Sequence, residues 1–154
     1  MRHLCLALIA LLATIASPAA AQQVWPIMVQ VGLIGTWAGN CDAPPSGANW
    51  FLTFRDDGAG GARRSSDRGP ELPNLMVVID SAQIPGPATV RFAARNEDVN
   101  WGGTNGHRFD VVVEISNGTM RTISSTRLHD GAELIKDGLV TSSGQPALLL
   151  RRCR

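Results

Sequence analysis

The sequence predicts an all-β chain, a single antiparallel closed β-barrel with a β-sandwich as the alternative, and three observations predict it. From Gln22 onward there is no amphipathic helical run of useful length. Turn dipeptides instead cut the chain into short apolar or alternating segments, with Asp-Gly at 57-58, 130-131 and 137-138 and Asn-Gly at 105-106 and 117-118. Both residues of such a pair can take positive φ in a tight hairpin, and many short strands punctuated in this way are the pattern of a barrel or sandwich. The third observation is "GTWAGNC", where Gly35, Trp37, Gly39 and Cys41 fall at alternate positions and so on one face of an extended strand. A row of that kind suits a strand crossing the bottom of a closed sheet.

Residues 1–21 read as a secretory signal. Arg2 is a basic start, Leu4 to Ala16 is an uncharged apolar core, and Ala19-Ala20-Ala21 is a small-residue cleavage pattern. The core is shorter than the ~20 residues of a bilayer-spanning helix. The expectation is therefore cleavage after Ala21 and a periplasmic or secreted β-barrel domain over residues 22–154. That domain has strands at Leu33 to Asn40, Trp50 to Arg55, Leu75 to Ala82, Ala88 to Arg95, His107 to Ser116, Thr119 to Leu128, Ala132 to Lys136, Leu139 to Ser142 and Ala147 to Arg152, with room for a short one near Gly61 to Ser66. "CDAPPSGAN" and "RGPELPN" read as Pro-rich loops and "IPGP" as a turn. One core is normal at this length.

The hairpin around Asn117-Gly118 carries the most information. A two-residue loop there pairs Ser116 with Thr119, Glu114 with Arg121 and Asp110 with Ser125. One face then holds Phe109, Val111, Val113 and Ile115 opposite Met120, Thr122, Ser124 and Thr126, and the other holds Asp110, Glu114, Arg121 and Arg127. Charged side chains need water, so the first face is assigned inward. The hydroxyl row Thr122, Ser124 and Thr126 has two readings: polar handles of a ligand cavity, or ordinary strand residues paired with their neighbours. In a hollow barrel Ser124, at the centre of the row, borders free space.

With the signal removed, 13 basic residues face 13 acidic ones, and two cysteines remain, Cys41 and Cys153. Neutrality speaks against nucleic acid, which needs a basic excess on one face. The cluster Arg63, Arg64 and Arg68 reads as a solvated loop diluted by Asp67 and Glu71. Two cysteines in an exported chain are most simply a disulfide, worth about 4 kcal/mol in the chain-entropy model for so long a loop. A meander with an even number of strands sets Cys153 beside the start of the first strand rather than its end. The bridge then demands an odd count or a chain that leaves the sheet after Arg151.

No nucleophile, base and charge stabiliser are brought together by any motif, so no enzyme, cofactor or metal site is expected. In the hairpin register His107 and His129 face opposite sides of the sheet and make a poor metal pair. Large aromatic surface comes from four tryptophans and four phenylalanines, with no tyrosine. Trp50, Leu52 and Phe54 share one strand face, and Trp101 sits in the polar, glycine-rich stretch "NEDVNWGGTNG".

"GTW" near the mature start resembles the Gly-x-Trp of the first strand in lipocalins and the wider calycin group, and avidins also begin a barrel with Gly-Thr-Trp. The resemblance implies a calycin-like barrel in which Gly35 and Trp37 lie at the closed end, with Arg151 or Arg152 from the last strand over the Trp37 ring. It also implies a small apolar ligand. The chain departs from the lipocalin pattern in lacking the Thr-Asp-Tyr motif and a C-terminal helix.

Together these readings predict a non-enzymatic exported protein that holds a small, mainly hydrophobic molecule, lined by Trp50, Phe54, Thr122, Ser124 and Thr126 with Trp101 at a loop. The alternative is a module that docks on an envelope protein or inhibits a hydrolase through its loops, with Trp101 and Arg63 to Arg68 as the contact.

Overall fold

The computed structural model describes residues 24–97 and 106–154. The expected cleavage after Ala21 and Trp101 lie outside the described residues. A short helix α1 (Val24–Gln30) precedes ten strands: β1 (Gly35–Ala38), β2 (Phe51–Asp56), β3 (Ala62–Asp67), β4 (Leu75–Gly86), β5 (Thr89–Asn96), β6 (Arg108–Ser116), β7 (Thr119–Arg127), β8 (Ala132–Lys136), β9 (Leu139–Val140) and β10 (Leu149–Arg152). Neighbours from β1 to β7 pair antiparallel in chain order, and β10 joins β7 to β1, which closes an eight-stranded antiparallel barrel. Among the described residues no helix is long and apolar enough to cross a membrane.

The predicted turns are where chain chemistry acts most directly. Asn117 and Gly118 both have positive φ, 51° and 73°, as do Asp137 and Gly138 at 52° and 76°. Their flanking residues, Ser116↔Thr119 and Lys136↔Leu139, pair directly, the geometry of two-residue hairpin loops. "IPGP" lies largely within β4, and the turn falls at Pro87-Ala88, with Ala88 at φ 59°.

Helix α1 is the element that periodicity did not disclose, because it is only 7 residues long and carries Pro26. Pro26 falls in the first turn, where its missing N–H leaves no hydrogen bond broken. Val24, Ile27 and Met28, at i, i+3 and i+4, make one buried face, which joins Trp37, Phe54, Ile79 and Phe92 in a single apolar cluster. Gly32 (φ 72°) ends the helix: its N–H donates to Val29 O and that of Leu33 to Met28 O, each at 3.0 Å, a Schellman cap. The helix thus plugs one end of the barrel.

Trp37, 1 % exposed, belongs to this closed end, and its Nε1–H donates to Leu33 O at 2.8 Å. The arginine over it is Arg152, not Arg151. Arg152 pairs directly with Trp37 and so shares its face, whereas Arg151 points the other way with Leu149. The Arg152 guanidinium lies 6.0 Å from the Trp37 ring centroid and Nη2 donates to Ile34 O at 2.7 Å. Gly35, at φ 118°, lies against that guanidinium in a backbone conformation that only glycine takes freely.

Cys41 and Cys153 form the disulfide, with Cα atoms 5.4 Å apart. The topological conflict dissolves without an odd strand count or a chain leaving the sheet. Strand β1 is only four residues long, half the predicted length. Beyond it Asp42 N–H donates to the Asn40 side chain in a turn that brings Cys41 back toward β10, where its Sγ lies 3.9 Å from Arg151 O. Cys153 N–H still bonds Thr36 O at 2.8 Å.

Two further expectations are corrected. "ARRSSD" is not a solvated loop but β3, paired on both sides; its alternation puts Ala62, Arg64 and Ser66 inward, and Arg68 beyond it is buried. The β6–β7 register holds from Ser116↔Thr119 to Val113↔Thr122 and then slips by one, because Ile123 is bulged out. Asp110 therefore pairs with Thr126 rather than Ser125.

Candidate ligand-binding site

The bulge at Ile123 lies where β7 changes partner. Thr119 to Arg121 pair with β10, while Ser125 to Arg127 pair with β8. A bulged residue breaks the ladder and bends its strand, and here the fork leaves the barrel wall open beside the seam. The β8–β9 hairpin supplies the missing wall with Leu134, Ile135 and Val140, next to Ala147, Leu148 and Leu150. A cavity of about 380 Å³ fills the gap and continues into a second of about 270 Å³. Trp50, Arg64, Leu75, Leu134 and Ile135 border both. Two hollows of about 450 Å³ also exist, but both lie outside the barrel.

The slip in register reverses side-chain direction along half of β7, since a shift of one residue exchanges the two faces. Thr122, before the bulge, lines the cavity as expected. Ser124 and Thr126, after it, pair with outward-facing Val112 and Asp110 and do not border the cavity. Ser125 takes the lumen position opposite Val111 and is buried. Trp50 lines both halves of the cavity. Its Nε1–H donates to Gly47 O at 2.8 Å and the Arg68 guanidinium stacks 5.5 Å from its ring centroid, with Arg68 itself held by the Pro73 carbonyl. Phe54 shares the face of Trp50 but lies deeper, in the packed core and edge-on to Phe92 at 6.4 Å. It closes the floor below the cavity rather than lining it.

Arg64 is the residue that sequence reasoning missed. It pairs with Phe54 on one side and Val77 on the other, so its side chain enters the lumen just above the packed floor. Nε is shut off from solvent with no hydrogen-bond partner. Burial in these surroundings lowers the guanidinium pKa to about 10, which leaves it charged at neutral pH. Among the described residues no Asp or Glu lines the cavity; the other polar side chains there are Ser66, Asn96, Thr122 and Ser125. The alternation Ala62, Arg64, Ser66 in the sequence was the available signal, and the density of charge around it pointed to solvent instead.

His107 and His129 also depart from expectation. Their rings lie 4.3 Å apart, centroid to centroid, because both stand outside the strands, where strand parity has no hold. No group of three or more metal-ligating side chains occurs among the described residues. Comparison with family models, with curated proteins and with solved structures gives no match in any of the three.

Proposed function

We propose that this chain is an exported, non-enzymatic binding protein that holds a small, mainly hydrophobic molecule at the open end of its barrel. The observation that carries the reading is the cavity itself: about 380 Å³ with an adjoining 270 Å³, walled mainly by apolar side chains with a few polar groups converging on it. Small-molecule sites have that character, in the range of ~300–1,000 Å³. The resemblance of Gly35-Thr36-Trp37 to the first strand of calycins supports the same reading. The disulfide and the signal-like residues 1–21 support export, since oxidising compartments preserve such bonds.

Native mass spectrometry of detergent-free protein tests it. The expected spectrum shows a chain beginning at Gln22 with a reproducible small-molecule adduct that denaturation releases. A ligand-free spectrum, together with no saturable binding across a panel of apolar probes, defeats the proposal.

A further inference from the structure

We infer that the molecule held in the barrel is an amphipathic carboxylate whose anionic head pairs with Arg64, with its hydrocarbon part running toward the β8–β9 hairpin. This deepens the preceding reading and rests on it.

Several arginines of the strands are matched by carboxylates, and others, such as Arg68 and Arg152, by backbone carbonyls. On the outer face Arg91 meets Asp110 at 2.6 Å, Arg63 meets Glu97 at 3.1 Å, Arg121 meets Glu114 at 3.2 Å and Arg127 meets Asp130 at 2.6 Å. Inside the barrel Arg64 has no hydrogen bond or ion pair among the described residues, and its Nε is closed to water as well. Arg64 is half-buried, with its guanidinium facing the cavity, and a charge held largely away from bulk water is normally matched by a counter-charge. Among the described residues the cavity walls supply none, and an anionic occupant is the counter-charge that fits.

The guanidinium is a planar fork of donors that fits a carboxylate with two parallel hydrogen bonds. Ser66 and Thr122 add hydroxyls on the same cavity surface, able to donate to the remaining lone pairs of an anion. The walls away from Arg64, at Leu134, Ile135 and Val140, offer only hydrocarbon. Arg64 springs from the floor and the apolar hairpin flanks the opening, so the head goes in first. A neutral occupant leaves the charge unmatched and a cationic one is repelled.

The test uses the mature, disulfide-bonded protein stripped of bound material, titrated calorimetrically with dodecanoate, dodecanol and dodecylammonium, which share one tail and differ in head charge. Dodecanoate is expected to bind at least about tenfold more tightly than dodecanol, a gap of ~1.4 kcal/mol, with dodecylammonium weakest. Arg64→Met should reduce dodecanoate binding to the level of dodecanol and leave dodecanol unchanged, which also shows that the variant is folded. Arg64→Lys, with the charge but not the fork, should fall between. Equal affinity for dodecanoate and dodecanol, with Arg64→Met altering neither, overturns the anchor while the apolar pocket stands. Failure of all three probes to bind overturns the anchor and the pocket together.

Discussion

The two ends of the barrel solve opposite problems with the same kind of strand. At the closed end, Met28, Trp37, Phe54 and Phe92 are almost wholly buried, and the polar groups among them are matched: the Trp37 indole to Leu33 O and the Arg152 guanidinium to Ile34 O. At the open end an arginine of the same chemistry stands in the lumen without a partner among the described residues, beside a cavity that the described side chains leave unfilled. Arg152 has a carbonyl within reach because it lies at the end of β10, where the Ile34 carbonyl is free of the sheet. Arg64 is mid-strand, with its neighbours' backbone groups committed to the ladder. The contrast teaches that packing and polar satisfaction are achievable in this chain, so their absence at one place marks that place as the candidate site. Natural sequences break local rules mainly where function requires it.

The comparison breaks first at the closed end. Trp37→Ala should cost ~3–5 kcal/mol by removing the largest buried side chain, measured by chemical denaturation of the mature protein. A loss below about 1 kcal/mol would mean that the closed end is no firmer than the open one. Removing the Cys41–Cys153 bridge by a double Ala substitution should cost ~2–5 kcal/mol, because it releases a chain segment with a sequence separation of 112 residues.

At the open end the sign should reverse. Arg64→Met removes a half-buried guanidinium whose Nε is unmatched among the described residues, so the ligand-free protein should be stabilised, by up to about 1 kcal/mol, while dodecanoate binding falls. A destabilised Arg64→Met would make the arginine a structural member like Arg152.

A finer division runs along β7. Thr122→Leu and Ser125→Leu intrude on the cavity and should displace the ligand, whereas Ser124→Leu, on the outer face past the bulge, should leave binding intact and change stability by no more than ~0.5 kcal/mol. Loss of binding in Ser124→Leu alone would restore the unbulged register.

The smallest effect is a flat one. Burial lowers the folded-state pKa of Arg64 from the ordinary guanidinium value to about 10. Below that value the guanidinium stays protonated, so dodecanoate affinity should be constant from about pH 6 to 9 and weaken only above about pH 10. For stability without ligand, the folded pKa lies under the unfolded one, so the unfolded chain holds more protons between the two values. The burial penalty is full below about pH 10 and relaxes as pH rises from there toward the ordinary guanidinium value. A fall in affinity between pH 6 and 8 would sink the assignment of the anchor to Arg64.

Read alone, the chain determined what depends on neighbours in sequence. Asn117-Gly118 and Asp137-Gly138 form the predicted turns because positive φ is a local property of those residues. The alternation of apolar positions marks the strands and their inward faces, and the two cysteines that follow residue 22 mark the bridge. What it could not determine depends on contacts made across the barrel. Helix α1 is too short to be stable by its own propensity and exists because its apolar face caps the lumen. The bulge at Ile123 follows from β7 serving both β10 and β8, a division that no stretch of β7 records. That one residue exchanged Ser124 and Thr126 for Ser125 at the cavity wall, since faces alternate strictly in a strand and a single inserted residue inverts all that follow. Whether Arg64 meets solvent, an acid or a cavity depends on the strands across the barrel from β3, which among the described residues supply apolar and neutral polar side chains and no carboxylate.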